Sequence, residues 1–385
     1  MAGKRSWRTF RIGALVFVGL LAGLLAFNVY QAGELQDIAN QGTEGCVQLP
    51  GVIGGEDLTL DAAAGHDRAS TAGGGVFWIA ADDRRAAAEG RKGVAALYRL
   101  DAGAAQAEDV TPKLSFPLHP HGIGYFRLAS PVLEPGDVTV TASLAVINHR
   151  GGGVFASADD SVELFSVLGD AKLRHRRSVQ DPLLRPMNDL ALVDEERFYA
   201  SLDHRFAEGP LRVAEDLLRL PLSGVAYFDG RRARKVADGI RYANGVAVSV
   251  DGATVFVTGT VDRAVFAFRR DLATGDLKLK QRLDIGTGID NLSLDADGAL
   301  WTGAHPKLLT FLRHAADAAV PSPSQVIRIH AGLQGFDVVL ADDGKLLSGA
   351  AAAAEARLAD GSRRLLVGPV FAEHLLDCRR PAPAR

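Results

Sequence analysis

Gly288-Ile-Asp-Asn-Leu-Ser-Leu-Asp-Ala-Asp-Gly298 decides how the chain is read, because it joins two unlike signals. Two adjacent oxygen-bearing side chains, Asp290 and Asn291, open an alternating, strand-like run. The stretch then closes on Asp297-Gly298, a strong hairpin signal. The turn recurs, with Asp251-Gly252 standing 46 residues before it and Asp343-Gly344 standing 46 residues after. A fixed period of this size, with short alternating strands about each turn, predicts the blades of a β-propeller.

The repeat also aligns particular side chains. Asn291 lies six residues before its turn, Asn244 seven before Asp251, and Asp337 six before Asp343. Asn188 lies six before Asp194 in a less regular copy. In a propeller the innermost strand of each blade lines the central channel, so one repeated position points at one axial site. Asn and Asp there form an all-oxygen ligand set, which suits a hard cation, calcium before magnesium. Taken singly, each would serve equally well as a turn cap. Two strand starts in the first third qualify as well: Glu56, in Gly55-Glu-Asp-Leu-Thr-Leu60, and His121, in Leu118-His-Pro-His-Gly-Ile-Gly-Tyr-Phe126. The starts at Glu56, His121, Asn188, Asn244, Asn291 and Asp337 predict six blades.

With 43 basic and 46 acidic side chains among 385 residues, the net charge is −3, which leaves no electrostatic footprint for nucleic acid. The 42 glycines and 47% hydrophobic content suit one large all-β domain. Ahead of it, Lys4, Arg5, Arg8 and Arg11 precede an apolar run from Ile12 to Phe27, extendable across Asn28 to Tyr30. That length approaches a membrane-spanning helix, and its basic flank would keep the following chain outside the cytoplasm, periplasmic or extracellular. A cleaved signal peptide, and so a secreted protein, is the alternative. Residues 1–30 thus read as basic flank and anchor or signal segment, 31–45 as a polar tether, and 46–385 as the propeller.

Cys46 and Cys378 stand at the two ends of the globular part. An even count outside the cytoplasm, in a fold whose last blade closes on its first, favours a disulfide over two unrelated buried thiols. The Gly-rich stretches Thr71 to Gly75 and Gly151 to Gly153 read as turns, and Ala350 to Ala354 as a closely packed strand. Leu211, Ala214, Leu217 and Leu218 recur at helical spacing within Ala207 to Leu222. That segment reads as a lid, a membrane-facing element or an ordinary packing helix.

Several motifs, in order, carry a resemblance. They are His119-Pro-His-Gly-Ile123, Val146-Ile-Asn-His149 with Ser161-Val-Glu-Leu-Phe165, Met187-Asn-Asp-Leu190, Leu202-Asp-His-Arg-Phe206, Tyr242-Ala-Asn-Gly-Val246, Ile289-Asp-Asn291 and Trp301-Thr-Gly-Ala-His-Pro306. Together they resemble the paraoxonase/arylesterase family from Cys46 to Cys378. The resemblance implies a six-bladed propeller with two channel calcium ions that hydrolyses lactones and aryl esters. It implies Glu56, Asn188, Asn244, Asp290 and Asn291 as ligands of a catalytic calcium. Asp57, Asp189 and the Ile123 carbonyl are implied for a structural one. It further implies a histidine pair, His121 and His149, a wall motif of Asp203 and His204, His305 at the channel mouth, and the Cys46–Cys378 bridge. Ala304 stands where such proteins often carry a cysteine, and Asp337 adds a carboxylate at the sixth blade that the resemblance does not account for.

The chemistry follows from the residue types. A calcium with open positions polarises an ester carbonyl and stabilises the developing oxyanion. Water is the simplest nucleophile, deprotonated by His121 with His149 behind it as orienter and relay. Asp290 is an alternative base or direct nucleophile. No Gly-x-Ser-x-Gly elbow, His-Glu-x-x-His helix, P-loop or dinucleotide fingerprint is present. Two other readings stand beside this one: a sugar-lactone hydrolase of gluconolactonase type, and a non-catalytic calcium-stabilised propeller that binds a partner. The oligomeric state is not legible.

Overall fold

A computed structural model describes residues 2–62, 74–151 and 160–382. Most of the two Gly-rich stretches expected as turns lies outside the described residues. Six four-stranded antiparallel sheets stand around one axis. Their innermost strands are Asp57–Asp61, Pro120–Glu134, Met187–Leu192, Ala243–Val248, Gly288–Leu294 and Ala350–Arg357, and these number the blades 1 to 6. Blade 6 is completed by the first strand of the chain, Cys46–Pro50, which pairs with the last, His374–Arg380. In that register Cys46 faces Cys378, and the two form the disulfide. The first strand of the chain thus supplies the outermost strand of the last blade, which closes the ring, and the bridge locks it. Between neighbouring blades the core is apolar: Phe198, Phe228 and Leu164 between blades 2 and 3, Tyr199, Val257 and Phe266 between blades 3 and 4.

The Asp-Gly signal holds twice and misleads once. Asp251-Gly252 and Asp297-Gly298 link the first two strands of blades 4 and 5. At the latter, Asp295 accepts from the amides of Asp297 and Ala299 at 2.9 Å each, and Gly298 takes φ +79°. Asp343-Gly344 instead joins the outermost strand of blade 5, Phe336–Asp342, to blade 6. The sixth inner strand is therefore the alanine-rich Ala350–Arg357, and Asp337 is not axial. It lies exposed on an outer strand, paired with His330 at 2.9 Å. A turn dipeptide records that the chain reverses, but not which pair of strands it joins. The alanines of blade 6 serve close packing, since a Cβ on Gly303 of blade 5 would stand 2.5 Å from the Ala351 carbonyl carbon.

The N-terminal helix, Ala2–Gln31, contains a 22-residue segment from Phe10 to Gln31 that is long and apolar enough to cross a membrane, with none of it buried in the protein. The following residues are not a free tether. Ala32 O accepts from Leu308 N at 2.9 Å, and Gly33 lies against Pro306 O. The Glu34 carboxylate accepts from the amides of Leu309 (2.8 Å) and Thr310 (3.0 Å), capping the helix Leu308–Ala316. Gln41 then bridges to Ala341, covering the outer edge of blade 5. The polar residues of this tether pair with backbone groups that an edge strand and a helix start leave open.

Candidate active site

Adjacent residues of a regular strand point to opposite faces, so Asp290 and Asn291 cannot both face the channel from an unbroken one. The strand is not regular there. Register slips between Ile289 and Leu292, and it slips at the equivalent place in blades 2, 3 and 4, across His121-Gly122, Asn188-Asp189 and Asn244-Gly245. Each bulge re-aims side chains toward the axis and frees backbone groups. Hydroxyls satisfy those groups: Thr258 Oγ1 donates to Asp290 O at 2.8 Å, and Asp189 N donates to Ser201 Oγ at 2.9 Å. Two glycines let the bulges nest, because a Cβ on Gly122 would stand 2.7 Å from Asp189 Cα and one on Gly245 2.5 Å from Leu292 N.

Asn188, Asn244, Asp290 and Asn291 sit on these bulges, and all four are buried, as is Glu56 just ahead of the regular inner strand of blade 1. Asn291 Nδ2 reaches Glu56 O across the ring at 3.1 Å. Seven buried side-chain oxygens among the described residues have no hydrogen-bond partner. Three belong to Thr287, Ser322 and Gln325, and the other four are the Oδ1 atoms of Asn188, Asn244, Asp290 and Asn291. A buried acceptor left unpaired costs about 1–3 kcal/mol, so four such oxygens form a set that a bound cation would satisfy. No three His, Cys, Asp or Glu side chains cluster as a metal site among the described residues. The donors are mostly amide oxygens, which fits calcium rather than zinc. Asp57 and Asp189 are buried together. Asp57 accepts from Leu58 N and Ile123 N, and Asp189 from Leu190 N and Val246 N, all within 2.8 Å. Burial, then the charge of Asp189, raises the pKa of Asp57; burial raises that of Asp189 to about 8. This is a pair of acids short of a positive partner.

Histidines stand beside Glu56 and Asp290. His121 Nδ1 lies 2.8 Å from Glu56 Oε2, and its ring meets that of His149 edge-on with centroids 4.7 Å apart. His149 Nδ1 in turn pairs with buried Asp160 at 2.8 Å. Burial lowers the pKa of His149, against the pull of Asp160, so its imidazole is neutral at pH 7. His305 is not open at the channel mouth but buried, with Nε2 2.7 Å from Asp290 Oδ2 and its ring stacked 3.8 Å from that of Phe311. Asp203 and His204 stand further out, where His204 bridges Asp203 (2.8 Å) and Asp216 (2.7 Å). Burial opposes a charge on His204, but the two carboxylates outweigh it and raise its pKa to about 9.

The sequence matches the family described as Arylesterase over residues 113–379. The chain belongs to the arylesterase family. It is 32% identical over 258 residues to serum paraoxonase/arylesterase 1 of Rattus norvegicus and 31% identical to that of Homo sapiens; each match covers 66% of this chain and 66% of the relative. A luciferin-regenerating enzyme aligns over 88% of this chain and 96% of its own at 12% identity and a TM-score of 0.49. The matched residues of this arylesterase chain include the inner strands of blades 2 to 6, and so every candidate ligand except Glu56 and Asp57.

Three neighbours of the candidate residues were not legible in the sequence. Arg84 is buried, with Nη2 2.5 Å from Glu56 Oε2 and 3.0 Å from His121 Nδ1. Asp160, just ahead of the next strand, pairs with His149, and Phe311 backs His305 from a rim helix. None sits on an inner strand, so the axial repeat gives no signal for them. The rim helix expected in Ala207 to Leu222 forms as Gly209–Leu217, but it is not an ordinary packing helix. Its buried residue is Glu215, which accepts from the amides of Arg205 and Phe206, whereas Leu211, Val213, Leu217 and Leu218 face outward.

Proposed function

We propose that this protein hydrolyses lactones and aryl esters in a calcium-dependent manner, at a propeller held outside the cytoplasm by its N-terminal helix. The observation that carries the reading is the four unpaired oxygens of Asn188, Asn244, Asp290 and Asn291 beside the His121–His149 pair. Glu56, Asn188, Asn244, Asp290 and Asn291 would hold a catalytic calcium. Asp57, Asp189 and the Ile123 carbonyl would hold a second, structural one. When bound, the catalytic ion supplies a Lewis acid that polarises the ester carbonyl and stabilises negative charge on its oxygen.

The protein's own groups do the rest. In the tautomer that carries its proton on Nδ1, toward Glu56 rather than accepting there from Arg84, His121 would present Nε2 as the atom that takes a proton from water. Neutral His149, fixed by Asp160, stands behind it to pass the proton outward. His305 occupies one oxygen of Asp290 and leaves the other, unpaired, toward the axis. That arrangement favours Asp290 as a ligand over Asp290 as the base.

Leu211, Val213, Leu217, Leu309 and Leu312 of the two rim helices are exposed on the side of the ring that holds the site. Such a rim favours lipophilic esters over the polyhydroxylated substrates of a sugar lactonase. The test is hydrolysis of a medium-chain δ-lactone and of phenyl acetate by the detergent-solubilised full chain, before and after calcium removal and re-addition, together with Asn291→Ala. We expect reversible loss on chelation and no turnover by the variant. Turnover that persists in demonstrably metal-free protein would overturn the reading. A wild type that binds calcium yet turns over neither substrate would leave a binding propeller instead.

A further inference from the structure

We propose that Arg84 is a fixed counter-cation of the candidate calcium site, which weakens calcium binding while holding Glu56 in place when the ion is gone. The inference rests on the calcium reading above. Arg84 opens a short helix after the second strand of blade 1, and its guanidinium is as buried as the ligands themselves. Nη2 donates to Glu56 Oε2 (2.5 Å) and Pro120 O (3.2 Å), and Nη1 to Gly54 O (3.1 Å) and Asp82 O (3.4 Å). Carbonyls from blades 1 and 2 thus cage the group, and it cannot swing into solvent when a cation arrives. A surface arginine would rotate away; this one keeps its charge beside Glu56 in either state.

The consequence is electrostatic. Of the five candidate ligands only Glu56 and Asp290 carry charge; the other three are amides. Arg84 already neutralises one of those two charges, so the site attracts a dication less strongly than its oxygen count implies, because ligand charge tunes calcium affinity. The same contact holds Glu56 in place when no cation is present, because Arg84 Nη2 donates to Oε2 from a cage of carbonyls.

The test measures calcium affinity and stability, not turnover. The detergent-solubilised full chain, as wild type, Arg84→Gln and Arg84→Lys, is titrated with calcium against a competing chelator, and melting is followed in chelator alone. Coulomb's law between a monocation and an adjacent dication corresponds to roughly tenfold in affinity even with bulk-water screening. Arg84→Gln should therefore bind calcium at least roughly tenfold tighter and melt lower in chelator, whereas Arg84→Lys, which keeps the charge, should stay near wild type. Unchanged or weaker binding by Arg84→Gln, or a Lys variant that shifts as the Gln variant does, overturns the inference while the calcium reading stands. A wild type that binds no calcium overturns both.

Discussion

Asn244→Leu reverses the sign of its effect on stability with the presence of calcium, if the unpaired oxygens are ligands. Asn244 is buried; its Nδ2 donates to Thr260 Oγ1 at 3.1 Å, and its Oδ1 has no partner. Leucine fills nearly the same volume. Removing an unsatisfied buried acceptor gains about 1–3 kcal/mol, and losing the amide–hydroxyl bond costs about 1 kcal/mol. Thr260 is not orphaned, since its hydroxyl still donates to Ile289 O at 2.8 Å. In chelator the variant should therefore match the wild type or exceed it by up to about 2 kcal/mol. In calcium the wild type gains the linkage term, about 2.7 kcal/mol at one hundred times Kd, and the variant does not. Urea midpoints in chelator and in excess calcium give both numbers. The same shift in both conditions would refute the reasoning, because it would show that the Asn244 oxygen meets no cation.

Three further outcomes follow. His121→Gln should lower turnover about 10²–10⁴-fold while leaving calcium-dependent stabilisation intact; loss of that stabilisation would instead make His121 part of the metal's cradle. His305→Phe removes the partner of Asp290 Oδ2 and should weaken calcium binding about 10–100-fold in a chelator titration, whereas unchanged affinity would show that Phe311 and the strand suffice to aim Asp290. The His204 bridge should impose an alkaline limit. Its pKa is about 9 in the folded protein against an ordinary 6.5, so its stabilisation is full below about pH 6.5 and lost as pH rises through 9. With Asp216 half-exposed, about 1–2 kcal/mol is expected from it, and His204→Gln should flatten the urea midpoint between those pH values.

The legible part of the site was the part written on the inner strands. Asn188, Asn244, Asp290 and Asn291 repeat at nearly constant distance from a turn, and that spacing survives folding because a hairpin fixes register locally. Asp337 satisfied the same spacing and failed, because its turn joins two blades rather than two strands of one. Arg84 and Asp160 carried no such mark. Each reaches the site from the helix after a second strand or from just ahead of a third, and a strand's pattern records burial, not which buried neighbour it meets.

By itself, the sequence determined the blade repeat, the oxygen-rich character of the axis, the apolar N-terminal helix and the pairing of Cys46 with Cys378. All of these rest on periodicity, composition or a count, which the chain carries before it folds. Only the tertiary structure decided that Ala350–Arg357 is the sixth inner strand, that bulges turn adjacent residues to one face, that Glu34 caps a rim helix, and that a caged arginine stands beside Glu56. Those features arise when closing the ring brings residues distant in sequence within hydrogen-bonding reach, and short-range pattern contains no term for that distance.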